Sequence, residues 1–270
     1  MPSPTLSPSA PRIVFLDRRT IAPQIKLRRP AFAHEWVEYP ETAAADIVAR
    51  LDGATVAVTN KVPLSAETLA RLPDLKLIAV TATGTDIVDL AAARARGVTV
   101  SNIRGYAVTS VPEHAFALIL AVRRNLMEYR DQVLAGRWQR EAQFCFFNRP
   151  IHDLAGSTLG IIGFGALGRA MAALGAAFGM NVLIHSRTPR ESAIGRAVGL
   201  DELLSSSDVV TLHLPLTEQS RGLIGAAQLA RMKPSAILVN TARGGLVDET
   251  ALLEALEAGR LAGAALDVTR

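Results

Sequence analysis

Residues 159–168 read LGIIGFGALG and decide the fold of the second half of this chain. An apolar run typical of a buried strand leads directly into the pattern Gly-x-Gly-x-x-Gly, and a helical pattern follows over 169–178. Gly163 permits a tight turn, Gly165 lets a phosphate approach the backbone, and Gly168 lets helix and strand pack closely. Because both the strand and the helix are present, the stretch predicts a Rossmann dinucleotide-binding domain. A merely glycine-rich turn is the alternative.

An alternation of apolar runs and helical patterns surrounds this stretch. It predicts five strands, joined by helices, at 158–162, 182–185, 209–212, 236–240 and 263–268. Right-handed crossovers between such strands produce a doubly wound parallel sheet, which binds its ligands at the carboxyl ends of the strands.

A similar alternation precedes it and predicts a first α/β domain. Its predicted strands are 13–16, 55–58, 76–80 and 98–101, and its predicted helices are 43–51, 65–72 and 89–96. A sustained helical pattern over 111–135, with Pro112 and Glu113 in its first turn, predicts one long connecting helix.

These patterns divide the chain into three parts. Residues 1–11 are rich in Pro and Ser without apolar periodicity, so we expect a disordered leader there. Residues 12–103 form the predicted first domain. Residues 104–270 form the predicted dinucleotide-binding domain, including the connecting helix.

The residues after the strand at 182–185 bear on the choice of cofactor. Sites selective for NAD usually place Asp or Glu there to accept the ribose hydroxyls. The sequence instead has Ser186 and Arg187, which suit a 2'-phosphate. The sequence therefore predicts NAD(P) binding and favours NADP. A solvated Arg187 with NAD bound is the alternative.

Composition excludes several classes of protein. The net charge of +4 comes from arginines spread along the chain, which argues against a nucleic-acid groove. The apolar run at 115–122 is too short to span a membrane, and the N-terminus lacks an apolar signal core. The single Cys145 and the absence of a Cys/His cluster argue against a disulfide or a metal site. We expect a cytoplasmic protein.

Several longer motifs resemble the signatures of the D-isomer-specific 2-hydroxyacid dehydrogenase family. They are TGTD at 83–86, SVPEH at 110–114, LHLPLT at 212–217 and NTARGGLVDE at 240–249. NKVPL at 60–64 and QFCF at 143–146 resemble more narrowly its glycerate dehydrogenase (hydroxypyruvate reductase) branch. The resemblance runs from about Arg12 to Asp267. It implies a flavodoxin-like substrate domain beside the Rossmann domain, and hydride transfer between NAD(P)H and a small 2-keto or 2-hydroxy acid.

The resemblance also implies substrate-binding residues. Arg243 matches the arginine that holds the substrate, and its planar guanidinium can bind a carboxylate and the reacting oxygen together. A structural arginine at the end of a strand is the alternative. Asn60, Lys61, Thr83 and Gly84 match loops that bind the substrate carboxylate, although Lys61 could equally be a solvated side chain.

Further positions match residues that line the cofactor in the family. The predicted cofactor site already includes Gly163, Gly165, Gly168, Ser186 and Arg187. The further positions are Thr83, Ala166, Leu167, Leu214, Pro215, Thr241, Ala242, Arg243 and Asp267. Asp267 would face the nicotinamide amide, with a capping carboxylate as the alternative. His213 matches a structural, cofactor-adjacent histidine and not an acid/base group.

The family's acid/base Glu and His follow the strand that contains Asp267, and the given sequence ends at Arg270. We therefore expect weak turnover from these residues alone, since general acid/base groups contribute about 10²- to 10⁴-fold to a rate. The resemblance also implies a homodimer that uses residues 106–137. Reduction of another 2-keto acid, a non-catalytic dinucleotide-binding regulator and an inert fragment are the alternatives.

Overall fold

The computed structural model describes residues 10–188 and 192–270. The chain divides into two compact units, one up to Gly105 and one from Tyr106 to Arg270. Most of the expected leader, 1–9, lies outside the described residues.

The first unit contains a parallel sheet with the strand order β2-β1-β3-β4-β5. Its strands are β1 (Arg12–Phe15), β2 (Glu35–Glu38), β3 (Val56–Thr59), β4 (Leu77–Val80) and β5 (Thr99–Asn102). The helices are α1 (Ile47–Leu51), α2 (Ala66–Ala70) and α3 (Leu90–Ala95), with 3₁₀ turns at Arg18–Thr20 and Ala44–Asp46. This is the flavodoxin-like order, so the predicted fold class of this unit is confirmed.

Strand β2 is missing from the strands predicted by sequence. It reads Glu-Trp-Val-Glu, with both glutamates exposed, and it pairs only with β1 at the edge of the sheet within the described residues. An edge strand is partly solvated, so its composition lacks the continuous apolar run of a buried parallel strand.

The second unit contains a sheet with the order β11-β10-β9-β6-β7-β8. Its strands are β6 (Thr158–Ile162), β7 (Asn181–His185), β8 (Arg196–Ala197), β9 (Val209–Leu212), β10 (Ile237–Asn240) and β11 (Gly263–Leu266). Its helices are α4 (Ser110–Arg123), α5 (Leu126–Leu134), α6 (Arg137–Arg140), α7 (Ala166–Ala177), α8 (Leu200–Ser206), α9 (Ala226–Leu229) and α10 (Glu249–Glu257), with a 3₁₀ turn at Gly244–Leu246. Counted from β6, this is the doubly wound order 3-2-1-4-5-6, so the Rossmann prediction is confirmed.

The prediction of one helix over 111–135 is wrong. The helix ends at Arg123 and a second one begins at Leu126, because Asn125 adopts a left-handed conformation with φ of +50°. Asparagine tolerates this region better than other residues with a side chain. Its amide also donates a hydrogen bond of 2.6 Å to the carbonyl of Pro150, which fixes the break.

Both faces of the second sheet are buried. Leu159 and Ile161 pack with Met171 on one face, whereas Ile162 packs with Leu212 on the other. Successive residues of a strand point to opposite faces, so burial on both sides requires the unbroken apolar run of β6. Over the described ranges, no helix combines the length and apolar character needed to cross a membrane.

Candidate functional site

A cavity of about 520 Å³ lies at the carboxyl ends of β6, β7 and β9 in the second unit. Strand order reverses between β6 and β9, which is where open α/β sheets bind their ligands. Three segments form the wall: the glycine loop after β6, the loop after β7 and the loop after β9. The lining residues are Ile162, Gly163, Phe164, Gly165, His185, Ser186, Arg187, Thr188, His213, Leu214, Pro215, Thr217, Gln219, Ser220 and Leu223.

The glycine loop joins β6 to α7 by a close turn. Gly163 has a φ of +98°, and its N–H donates to the carbonyl of His185 at 2.8 Å. A Cβ on Gly168 would overlap the carbonyl of Gly163, so helix and strand are in direct contact there. By contrast, a Cβ on Gly165 would meet no atom of residues 10–188 and 192–270 within 4 Å. The space beside Gly165, at the N-terminus of α7, is open to a phosphate.

The loop after β7 supplies the charge of the cavity. The Ser186 hydroxyl donates to the carbonyl of Thr188 at 2.7 Å, and the Arg187 side chain is exposed. Among the described lining residues, Arg187 is the only one with a permanent charge and none is a carboxylate. This wall therefore favours an anionic group over a bare ribose diol.

The loop after β9 brings a buried histidine to the cavity. His213 is 7% exposed, and its Nε2 lies 2.9 Å from the hydroxyl of Thr211. Burial lowers the pKa of His213 to about 4, so the imidazole is neutral at neutral pH. The loop itself is fixed by Ser220, whose hydroxyl accepts from the Thr217 N–H and donates to the Pro215 carbonyl, each at 2.8 Å.

Two buried polar atoms at this edge of the sheet have no hydrogen-bond partner within the described part of the chain. They are Nδ1 of His213, just after β9, and Oγ1 of Thr241, just after β10. An unsatisfied buried polar atom costs about 1–3 kcal/mol, so such atoms mark places where a ligand or water completes the structure. Together with the open space at Gly165 and the charge of Arg187, they fit a dinucleotide with a phosphate on its ribose.

The segment after β10 holds Arg243 in a braced loop. Asn240, 1% exposed, accepts the N–H of Ala242 at 3.0 Å and donates to the carbonyl of Arg243 at 2.9 Å. At the end of β11, the Asp267 carboxylate lies 3.4 Å from Nε2 of His114, with both side chains about half exposed.

The predicted substrate residues of the first unit lie in the loops after β3 and β4. Asn60 is half-buried and Lys61 is exposed. Thr83 is tied to the sheet because its hydroxyl donates to the Ile103 carbonyl at 2.9 Å and its carbonyl accepts from Asn102 at 2.7 Å. The half-buried Gly84 follows it in the same loop.

The cavity brings together only part of the predicted cofactor set. Gly163, Gly165, Ser186, Arg187, Leu214 and Pro215 line it. Three other predicted residues, Ala166, Leu167 and Gly168, belong to the first turn of α7 and do not line it. A last group of predicted residues lies beyond the lining, at the ends of β10 and β11, and comprises Thr241, Ala242, Arg243 and Asp267. Thr83 belongs to the first unit.

Several lining residues were not predicted, among them Phe164, His185, Thr217 and Ser220. His185 is the last residue of a predicted strand, and the other three lie in the segment after one. The position of these residues at the carboxyl ends of parallel strands was the available signal.

Comparison with known proteins supports this picture. Residues 116–270 match the family described as D-isomer specific 2-hydroxyacid dehydrogenase, NAD binding domain. The chain is 53% identical over 258 residues to the glycerate dehydrogenase of Methylorubrum extorquens, covering 95% of this chain and 80% of that protein. It is 36% identical over 240 residues to the hydroxypyruvate reductase of Blautia hydrogenotrophica, covering 87% of this chain and 74% of that protein.

A solved structure extends the likeness to the fold. The NADPH-dependent glyoxylate/hydroxypyruvate reductase of Sinorhizobium meliloti, in complex with NADP and malonate, superposes with a TM-score of 0.83 at 30% identity. The match covers 97% of this chain and 80% of that one.

Proposed function

This chain belongs to the D-isomer specific 2-hydroxyacid dehydrogenase family, and from that premise we propose that it reduces hydroxypyruvate or glyoxylate to D-glycerate or glycolate with NAD(P)H. The observation that carries the proposal lies in the second unit. A cavity suited to a dinucleotide and the braced Arg243 are built on the same carboxyl edge of one parallel sheet. Ligand binding at this edge is the rule for doubly wound sheets.

Different residues are proposed to contact different parts of the dinucleotide. Gly163 forms the tight turn, and Gly165 leaves room for the pyrophosphate at the N-terminus of α7, whose first N–H groups have no partner in the helix. The hydroxyl of Thr241 and Nδ1 of His213 provide buried hydrogen-bonding atoms. When bound, the reduced nicotinamide supplies the hydride. Asp267 is proposed to orient the ring by accepting a hydrogen bond from its amide.

Arg243 is proposed to bind the keto acid. Its guanidinium is permanently charged and planar, so it can hold a carboxylate and polarise the neighbouring keto oxygen in one fixed geometry. Negative charge develops on that oxygen during reduction, and a preorganised cation stabilises it. The bracing of the loop by Asn240 supports this role because it limits movement of the Arg243 backbone.

The first unit contains the other residues that we propose to bind substrate. Asn60 and Lys61 carry a neutral donor and a positive charge at the end of β3, and Thr83 and Gly84 offer backbone N–H groups after β4. A short 2-keto acid presents one carboxylate and one keto oxygen, which this set of donors would match.

We further propose that NADP is preferred over NAD. Arg187 and Ser186 support the preference because they can bind a 2'-phosphate, and because the described lining of the cavity offers no carboxylate to accept ribose hydroxyls. The S. meliloti reductase, which is described as NADPH-dependent, is consistent with it.

The test is hydroxypyruvate- and glyoxylate-dependent oxidation of NADPH and NADH. It is run on the 270-residue chain and on the chain with any residues that its reading frame encodes after Arg270, beside the variant Arg243→Lys. We expect the variant to lose at least about 100-fold in kcat/KM for the keto acid, with a much smaller change in NADPH affinity, because lysine keeps the charge but lacks the planar fork that binds the substrate. The proposal would be contradicted if the variant turned over as fast as the unsubstituted chain. It would also be contradicted if neither the 270-residue chain nor its extended form reduced hydroxypyruvate or glyoxylate.

A homodimer in the cytoplasm is the last part of the proposal. The helices α5 and α6 and the loop that follows them expose Met127, Leu134, Trp138, Phe144 and Phe147, each more than half exposed. Such a concentration of large apolar side chains marks an interface. Sedimentation measurements should show a dimer that Leu134→Glu dissociates. A monomeric wild type would refute this part.

A further inference from the structure

The loop after β3 is held by a buried carboxylate that the sequence analysis did not single out. Asp17 directly follows the apolar strand β1 and its side chain is 3% exposed. The carboxylate accepts the backbone N–H groups of Asn60 at 3.0 Å, Lys61 at 2.6 Å and Val62 at 3.3 Å. Strands β1 and β3 are neighbours in the sheet, which brings these groups together.

These three successive N–H groups form a small concave site for an anion, a backbone nest. Asp17 fills it from within the protein. The hydroxyl of Thr59 also lies 3.5 Å from Oδ2, so the carboxylate is surrounded by donors. Burial of a carboxylate is unfavourable unless such hydrogen bonds compensate it, which means that carboxylate and loop conformation depend on each other.

We propose that Asp17 is a positioning residue for substrate binding: by holding the backbone of residues 60–62, it directs the side chains of Asn60 and Lys61 toward the keto acid. This rests on the function proposed above. It also specifies the chemistry of the loop. Because Asp17 already occupies the N–H groups of Asn60 and Lys61, the loop binds the substrate carboxylate through the Asn60 amide and the Lys61 ammonium and not through its backbone.

The bonding pattern predicts that asparagine would hold the loop less firmly than Asp17 does. Oδ2 accepts from Asn60, Lys61 and Val62, and Oδ1 also accepts from Asn60 at 3.0 Å. An asparagine has one oxygen and one NH₂ group, so in either orientation its NH₂ group faces at least one backbone N–H. Asp17→Asn therefore loosens the loop without changing the size of the side chain.

A matched control lies in the second unit. Asp208 precedes β9, and its carboxylate, 22% exposed, also accepts a backbone N–H, from Thr158 at 2.8 Å. It additionally pairs with Lys233 at 3.0 Å. Asp208→Asn repeats the same chemical change at the amino ends of the strands, opposite the ligand-binding edge, so it reports the general effect of losing a carboxylate that binds the backbone.

The experiment compares wild type, Asp17→Asn and Asp208→Asn. Steady-state kinetics give KM for hydroxypyruvate and for NADPH, titration calorimetry gives the affinity for the keto acid, and hydrogen exchange reports the amides of residues 60–62. For Asp17→Asn we expect KM for hydroxypyruvate to rise about tenfold, with kcat and KM for NADPH changed less than about twofold, because only substrate binding is weakened. Exchange at residues 60–62 should accelerate. Asp208→Asn should change neither.

The outcomes separate this proposal from the function on which it rests. If wild type neither binds nor reduces any small 2-keto acid, the proposed function fails, and with it the substrate role of Asp17. Unchanged KM for hydroxypyruvate in Asp17→Asn, with normal turnover in wild type, overturns the positioning role alone. The positioning role would also be overturned if Asp17→Asn raised KM for hydroxypyruvate and KM for NADPH equally and accelerated hydrogen exchange throughout the chain. Such a result would indicate general destabilisation.

Discussion

The backbone carbonyl of His213 lies within 3.0 Å of the position that a Cβ atom on Gly163 would occupy. The end of β9 thus closes directly over the turn after β6, and Gly163 also has a φ of +98°. Gly163→Ala should therefore displace the loop after β9 and lower the free energy of unfolding by about 1–3 kcal/mol. Thermal unfolding and NADPH titration should show a lower Tm together with weaker cofactor binding.

Gly165→Ala is the matched control for that variant. The added Cβ meets no atom of the described residues within 4 Å and the φ of Gly165 is −76°, so the fold should tolerate it. A bound dinucleotide, by contrast, would meet the new methyl group. We expect an unchanged Tm with NADPH affinity reduced about tenfold or more, since backbone approach to the pyrophosphate needs glycine. Equal loss of stability in both variants would contradict this account of the loop.

Arg187→Ala should change cofactor selection. Loss of a charged hydrogen-bonding partner of a 2'-phosphate should lower kcat/KM for NADPH by about 10- to 100-fold and leave that for NADH almost unchanged. Arg196→Ala is a suitable control, because Arg196 is an exposed arginine of β8 that pairs with Glu202 and does not line the cavity. If both cofactors lose equally in Arg187→Ala, the residue does not discriminate between them.

His213 should make stability depend on pH. Its pKa is lowered by burial from 6.5 to about 4, so between these values the unfolded chain takes up a proton that the folded chain does not. The free energy of unfolding therefore has its full value, as far as His213 is concerned, above pH 6.5. It decreases by about 3 kcal/mol as the pH falls toward 4. Urea unfolding at a series of pH values should show this decline, and His213→Asn should reduce it. His152→Asn, at an exposed histidine, should retain the full decline.

The sequence was informative where physical chemistry leaves few choices. The run from Leu159 to Gly168 could be interpreted because a strand buried on both faces must be apolar, and because the turn that follows must avoid a Cβ at Gly163. The strand at Glu35–Glu38 escaped prediction because an edge position tolerates charge, and the break at Asn125 because a single residue in a left-handed conformation leaves the helical pattern on both sides intact.

In the candidate site, too, some residues could be predicted from local sequence and others could not. Ser186 and Arg187 could be predicted to line it since they follow a recognisable strand, and Gly165 because it belongs to a local motif. Asp17 could not be assigned a role. Its partners lie 43 to 45 positions further along the chain, and only the pairing of β1 with β3 brings them to its carboxylate.

That separation bears on how the loop at residues 60–62 acquires its conformation during folding. The backbone of residues 60–62 can bind the Asp17 carboxylate only after the chain between them has formed a closed loop. Closure of a long loop is slow relative to local helix formation. A nascent chain that has emerged from the ribosome through Val62 contains every atom of the nest and its occupant. It nevertheless acquires the arrangement only when β1 and β3 pair side by side, so the sheet must assemble before the loop can make the substrate contacts proposed for it.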